Sequence, residues 1–361
     1  MAPTSSPSSR SALDRIRRGL RHLAFVLVVS LIATVASERM FWFWSTGLDE
    51  HLFVSAFYGV ATAVTLWAID RYRVSTWWSL WLATPLFALV VEGVITPVTY
   101  SGGPFVPIFP AWFAFWHGVL AFGVLVVGVR HLLLARRTAL VAGLAAALGV
   151  FWGAWSTTLW LPENVEDPEL VADQGEALQV LAPGDFALYA ALFTAVVVVG
   201  HAALGRVWPT SFALSRPTLR VGGGLVLFGA AMWTVAIPWA LPMFLAYGGL
   251  QIWGLRRHEQ TASGPTLLER LAGPTPVQPL LGLTVMAPAA AVTYALLWET
   301  GFSHAAARAL MWSTIAVQTV AGFVITVMAL RRAGRGADDA SSDAGDQSVV
   351  PAVEMRSTSN T

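Results

Sequence analysis

Residues 186–200 read FALYAALFTAVVVVG: fifteen positions without a charged side chain, inside an apolar run that extends over 185–204. A helix rises about 1.5 Å per residue, and about twenty apolar residues cross the hydrocarbon of a bilayer. The stretch therefore has the length and composition of a transmembrane helix. Nine more stretches meet the same measure, at 23–44, 51–70, 75–98, 109–129, 138–161, 220–237, 239–255, 279–298 and 305–330. The expected fold is all-α, a polytopic helical bundle of about ten transmembrane helices.

Composition points the same way. Of 361 residues 56% are hydrophobic and 12% charged, with a mean hydropathy of +0.62. Soluble domains carry roughly twice that share of charge, so a soluble enzyme and a disordered chain are excluded. A formal net charge of +1 argues against a nucleic-acid partner. There is no cysteine, which removes disulfides, thiolate metal sites and thiol nucleophiles. Lysine is absent as well, so every basic side chain besides histidine is arginine.

The segment 220–255 is long for one span and short for two. Pro238 and Pro242 interrupt its backbone ladder, which predicts a hairpin at Ile237-Pro238-Trp239. Arginine placement agrees. With ten spans and both termini cytoplasmic, all arginines except Arg39 and Arg308 fall on the inner side, as the positive-inside bias requires. The domain expectation is a cytoplasmic tail over 1–22, one transmembrane domain over 23–330 with an acidic outer loop at 162–184, and a disordered tail over 331–361. The first apolar run reads as a retained signal-anchor, and the expected location is the cell membrane. Trp77, Trp78, Trp160, Trp208, Trp239 and Trp298, with Trp42 and Trp44, suit an interfacial aromatic belt. Gly222-Gly-Gly224 reads as a close helix contact.

Ionisable groups at membrane depth are costly and mark pathways or sites. Glu38 and Arg39 sit about one and a half turns below the outer end of the first span. Glu92 lies six residues below the outer end of the third, and His117 eight residues into the fourth. His51 opens the second span beside Asp49 and Glu50, where it also reads as a loop residue. All five fall in the outer half of the first four helices. Helical spacing adds Ser30 and Thr34 to the Glu38 face and Thr96 to that of Glu92. The connection 96–110, with four prolines and a Gly pair, predicts an irregular outer loop. The composite expectation is an outward pocket floored by Glu92 and His117 and roofed by this loop.

A carboxylate and an imidazole in low dielectric suit acid–base work. Glu92, His117 and Glu38 are the candidate catalytic groups. Arg39, His51, Thr96, Tyr100, Trp112 and Trp116 are the candidate substrate-binding residues, with Arg39 on an anionic head group and the tryptophans as an apolar wall. Simpler roles stand beside these: a headgroup ion pair for Glu38 and Arg39, and a helix-fixing hydrogen bond for Glu92 and His117. No cofactor motif occurs, and none is expected, although Glu38, Glu92, His51 and His117 are ligand types for a divalent metal. The expected partners are membrane lipids and a lipid-linked or small-molecule substrate. The alternative is a proton-coupled transporter, which the scarcity of ionisable residues at depth in the last five spans disfavours.

Overall fold

The computed structural model describes residues 8–41, 47–100, 108–161 and 181–333. The two tails, Trp42 and Trp44, the acidic loop over 162–180 and the tip of the Pro/Gly loop over 101–107 lie outside the described residues. Those described are helical, with no strands among them.

Eight helices are long and apolar enough to span a bilayer: α1 (Ile16–Arg39), α2 (Leu48–Arg71), α3 (Trp77–Ile95), α4 (Pro110–Leu134), α5 (Thr138–Trp160), α6 (Pro183–Val207), α9 (Val277–Glu299) and α10 (His304–Arg332). Between α6 and α9 lie α7 (Arg216–Trp233) and α8 (Ala240–Thr261). They are two helices, separated by the turn that the prolines predict. Their polar ends, with Arg216 and Arg220 on one and Arg256 to Glu259 on the other, place them outside the first eight by composition.

Four helices start where local chemistry favours a start. Thr76 and Ser79 form a capping box before α3, while Ser215 and Ser303 accept from Thr218 N–H and Ala306 N–H at the starts of α7 and α10. Pro183 occupies the first turn of α6, where its missing N–H costs nothing. The links between α2 and α3 and between α4 and α5 are short. Each places an arginine, Arg73 and Arg136, at positive φ (50° and 54°), so these neighbours run antiparallel.

Lipid supplies little hydrophobic drive between helices, so close approach depends on small residues. A Cβ on Gly149 would lie 2.3 Å from Met286 O, and one on Gly153 would lie 2.3 Å from Ala290 O. This Gly-x-x-x-Gly face seats α5 directly on α9. A Cβ on Gly118 of α4 would meet Thr84 O at 3.0 Å and Pro85 N at 3.2 Å, so α4 presses on α3 where Pro85 has already opened the backbone ladder. Gly222 to Gly224 behave otherwise: a Cβ there meets nothing within 4 Å. The expected close contact is absent because that face of α7 is unpartnered, with Val221, Leu225 and Phe228 also exposed.

One end of the bundle is an arginine network. Arg71 pairs with Glu259, Arg270 donates to Ser75 O, and Arg73 donates to Gly264 O. Arg130 is fully buried there; it donates to Leu271 O, Gly273 O and Thr275 Oγ1, with its guanidinium 5.3 Å from the Trp208 ring. At the same end Thr266 N–H and hydroxyl hold the exposed Glu269 carboxyl below the usual range. At the opposite end tryptophans close the loops, with Trp233 donating to Val94 O and Trp239 to Tyr100 O. The belt tryptophans are thus partly structural: Trp208 is buried and donates to Leu268 O.

Candidate functional site

The backbone is unusual where the site forms. The last turn of α1 (Val35–Arg39), the last turn of α3 (Val91–Ile95) and the middle of α4 (Ala114–Gly128) are π-helical. The wider i→i+5 bond closes from Met40 N–H to Val35 O and from Thr96 N–H to Val91 O, each at 2.9 Å. Such segments are rare and recur at functional sites. Glu38, Glu92 and His117 each sit on one of them.

These three side chains meet. One ligand-type atom from each lies within 4.8 Å of the other two. His117 Nε2 is 2.7 Å from Glu92 Oε1, yet neither ring nitrogen has hydrogen-bonding geometry to a partner among the described residues. The carboxylate lies beside the imidazole but off its N–H direction. His117 is 1% exposed and Glu92 7%. Thr96 Oγ1 donates to Glu92 Oε2 at 3.0 Å, which turns Oε1 toward His117. Tyr58, on α2, donates to Glu38 Oε1. Trp116 stacks on the His117 ring at 4.7 Å and 12°, and its indole N–H reaches Ala36 O at 3.3 Å. One side chain thereby ties α4 to the π turn that carries Glu38.

Other expected site residues are placed differently. α1 ends at Arg39 rather than continuing toward position 44, so Glu38 and Arg39 lie at the helix end and not one and a half turns below it. Arg39 is 1% exposed, so its guanidinium is turned into the bundle. Its Nε donates to His51 Nδ1 at 3.4 Å, its guanidinium carbon lies 5.5 Å from the Phe193 ring centroid, and its carbonyl accepts from Tyr189. His51 is a fully buried helix residue set edge-on to Phe193, not a loop residue. It faces Arg39 and stays out of the Glu38–Glu92–His117 cluster. Ser30 and Thr34 return their hydroxyls to their own helix, at Leu27 O and Ser30 O. Tyr100 donates to Gly93 O at 2.8 Å, fastening the start of the outer loop to the π turn of α3. Trp112 donates to Gln318 Oε1 at 2.8 Å and stacks on Phe113, so it joins α4 to α10.

Tyr58 was not visible as a site residue. It lies mid-span in an aromatic-rich run, and only the fold brings its hydroxyl to Glu38. Beside the cluster, α3, α4, α8 and α10 line a partly open apolar cavity of about 140 Å³, with Leu89, Phe113, Tyr247, Gln251 and Phe323 among its residues. Phe113 stands between this cavity and His117, its ring 5.8 Å from the imidazole. The arrangement can hold and pass a proton among two carboxylates, an imidazole and a phenol. Apolar surface lies adjacent for a hydrocarbon chain.

No family model, curated protein or solved structure matches this chain. Its function is therefore argued from the site alone.

Proposed function

We propose that this is a cell-membrane protein of ten spans with both ends cytoplasmic, which binds and modifies a lipid or lipid-linked substrate taken from the outer leaflet. The helix count is supported by where α8 runs. Its first turn follows Trp239, bonded to Tyr100 at the far end of α3, and its last turn carries His258 and Glu259 against Ser75 and Arg71 at the other end. α8 thus runs alongside the whole of α3. A helix of that reach crosses whatever α3 crosses. Adding α7 and α8 as a pair leaves the orientation of every other helix unchanged.

The observation that carries the functional reading is the 2.7 Å approach of Glu92 and His117 inside an apolar bundle, beside a cavity suited to an acyl chain. A group this costly to bury marks a site. In this reading His117 and Glu92 exchange a proton with the substrate, Glu38 and Tyr58 complete the polar floor, and Arg39 balances charge next to Glu38. Trp116 fixes the imidazole plane. Clustering of these groups at one end of α1–α4 favours one-sided access over a transport path.

The test is lipid analysis of the protein purified from its own membrane. A lipid enriched at least tenfold over the bulk is expected, with at least a tenfold loss in Leu89→Trp, which fills the cavity. Glu92→Gln is expected to retain the lipid but leave it unmodified. A lipid profile equal to the bulk, or proton-coupled solute uptake into proteoliposomes, overturns the reading.

A further inference from the structure

We infer that Glu38, Glu92 and His117 form a binding site for one divalent first-row metal ion of the zinc class. This goes beyond the lipid reading and does not depend on it; with an ion bound, Glu92 and His117 would serve as its ligands in place of exchanging the proton directly. Ions of this class bind carboxylate oxygen and imidazole nitrogen at about 2.0–2.2 Å, which puts neighbouring ligand atoms roughly 3.4 Å apart in a tetrahedral site. Three donor atoms from three helices lie within 4.8 Å of one another; the His117–Glu92 approach of 2.7 Å has to open and any wider gap to close, each by about 1 Å, to reach that spacing.

The second argument is the state of His117. A histidine 1% exposed, whose ring nitrogens make no hydrogen bond among the described residues, carries a desolvation cost that the off-axis carboxylate beside it offsets only in part. Its Nε2 nevertheless lies at the cluster, 2.7 Å from a carboxylate oxygen. An ion between them supplies the missing partner to the lone pair. It also offsets two carboxylates packed together in low dielectric, a pair that is costly when both are ionised.

The surroundings are those that metal ligands need. Thr96 holds Glu92 and Tyr58 holds Glu38 from outside the cluster, while stacked Trp116 prevents the imidazole from turning. Partners of this kind orient the ligands and tune affinity. The three π-helical segments provide the placement, since each rotates its ligand out of α-helical register. Two oxygens and one neutral imidazole match zinc, manganese, iron or cobalt in the divalent state, and the missing thiolates disfavour copper(I). Three protein ligands leave a coordination position for water or substrate.

The experiment uses the full chain in nanodiscs, stripped with chelator and reloaded with zinc or cobalt(II), with metal content measured by mass spectrometry. One ion per chain is expected for the native protein, together with the visible absorption of low-symmetry cobalt(II). Glu92→Gln and His117→Gln should each fall below a tenth of an equivalent. Thr96→Val, which leaves every ligand in place, should weaken affinity about 10- to 100-fold. Glu259→Gln, at the opposite end of the bundle, should load fully. Retention of a full equivalent by the double variant Glu92→Gln/His117→Gln overturns the proposal, as does a native protein that remains metal-free after loading. A metal-free protein that still enriches its lipid would sink this inference alone, and a metal-loaded one with a bulk lipid profile would sink only the lipid reading.

Discussion

Tyr58 shows how much a single side chain decides here. It is 3% exposed, and its hydroxyl donates to Glu38 across two helices. Tyr58→Phe removes the donor and keeps the ring, so the buried carboxylate loses a partner. The expected cost is about 1–3 kcal/mol, seen as a lower thermal midpoint in detergent; an unchanged midpoint would mean that the contact carries no stability. Arg39 and His51 teach the converse. Both were legible as ionisable residues near the outer end of the bundle, but not as mutual partners, because their meeting depends on Phe193 and Tyr189 from α6. Glu92 and His117 were legible as facing groups because their helices are consecutive and both residues lie at similar depth. Trp112 and Trp116, expected as a wall, prove to be anchors bonded to Gln318 and Ala36.

At the scale of the element, glycine sets the distances. Gly118 follows His117 directly and lets the α4 backbone touch that of α3 at Thr84 and Pro85. Gly118→Val drives a branched side chain into backbone atoms that cannot yield, and so pushes α4 away from α3. The site should then come apart before the bundle does: at least a tenfold loss of metal binding is expected, with the protein still monodisperse on size exclusion. Unaltered binding would show that helix spacing does not govern the cluster. Gly153 performs the same service between α5 and α9. Period-3.6 patterning found the spans but not the π segments, since one wider turn changes which residue faces inward without changing composition. The glycine run of α7, which looks in sequence like a packing face, meets nothing within 4 Å because that face has no neighbouring helix among the described residues.

For the molecule as a whole, topology can be checked directly, because a chain without cysteine is a clean background for introduced thiols. Thr300→Cys and Val235→Cys should react with an impermeant maleimide on intact cells, and Ser263→Cys only after permeabilisation. Labelling of Val235→Cys only after permeabilisation would reduce the ten spans to eight, with α7 and α8 lying on the inner side. The arginine network at one end and the tryptophan-closed loops at the other agree with this orientation.

Solvent class and the approximate places of the eight apolar spans were contained in the linear order of residues, because each follows from local length and hydropathy, summed along the chain. The meeting of Glu38 with Glu92 and His117, the recruitment of Tyr58 and the burial of Arg39 belong to the tertiary structure. They arise from contacts between separate helices, and those contacts depend on backbone spacing and π-helical register, neither of which leaves a mark on composition.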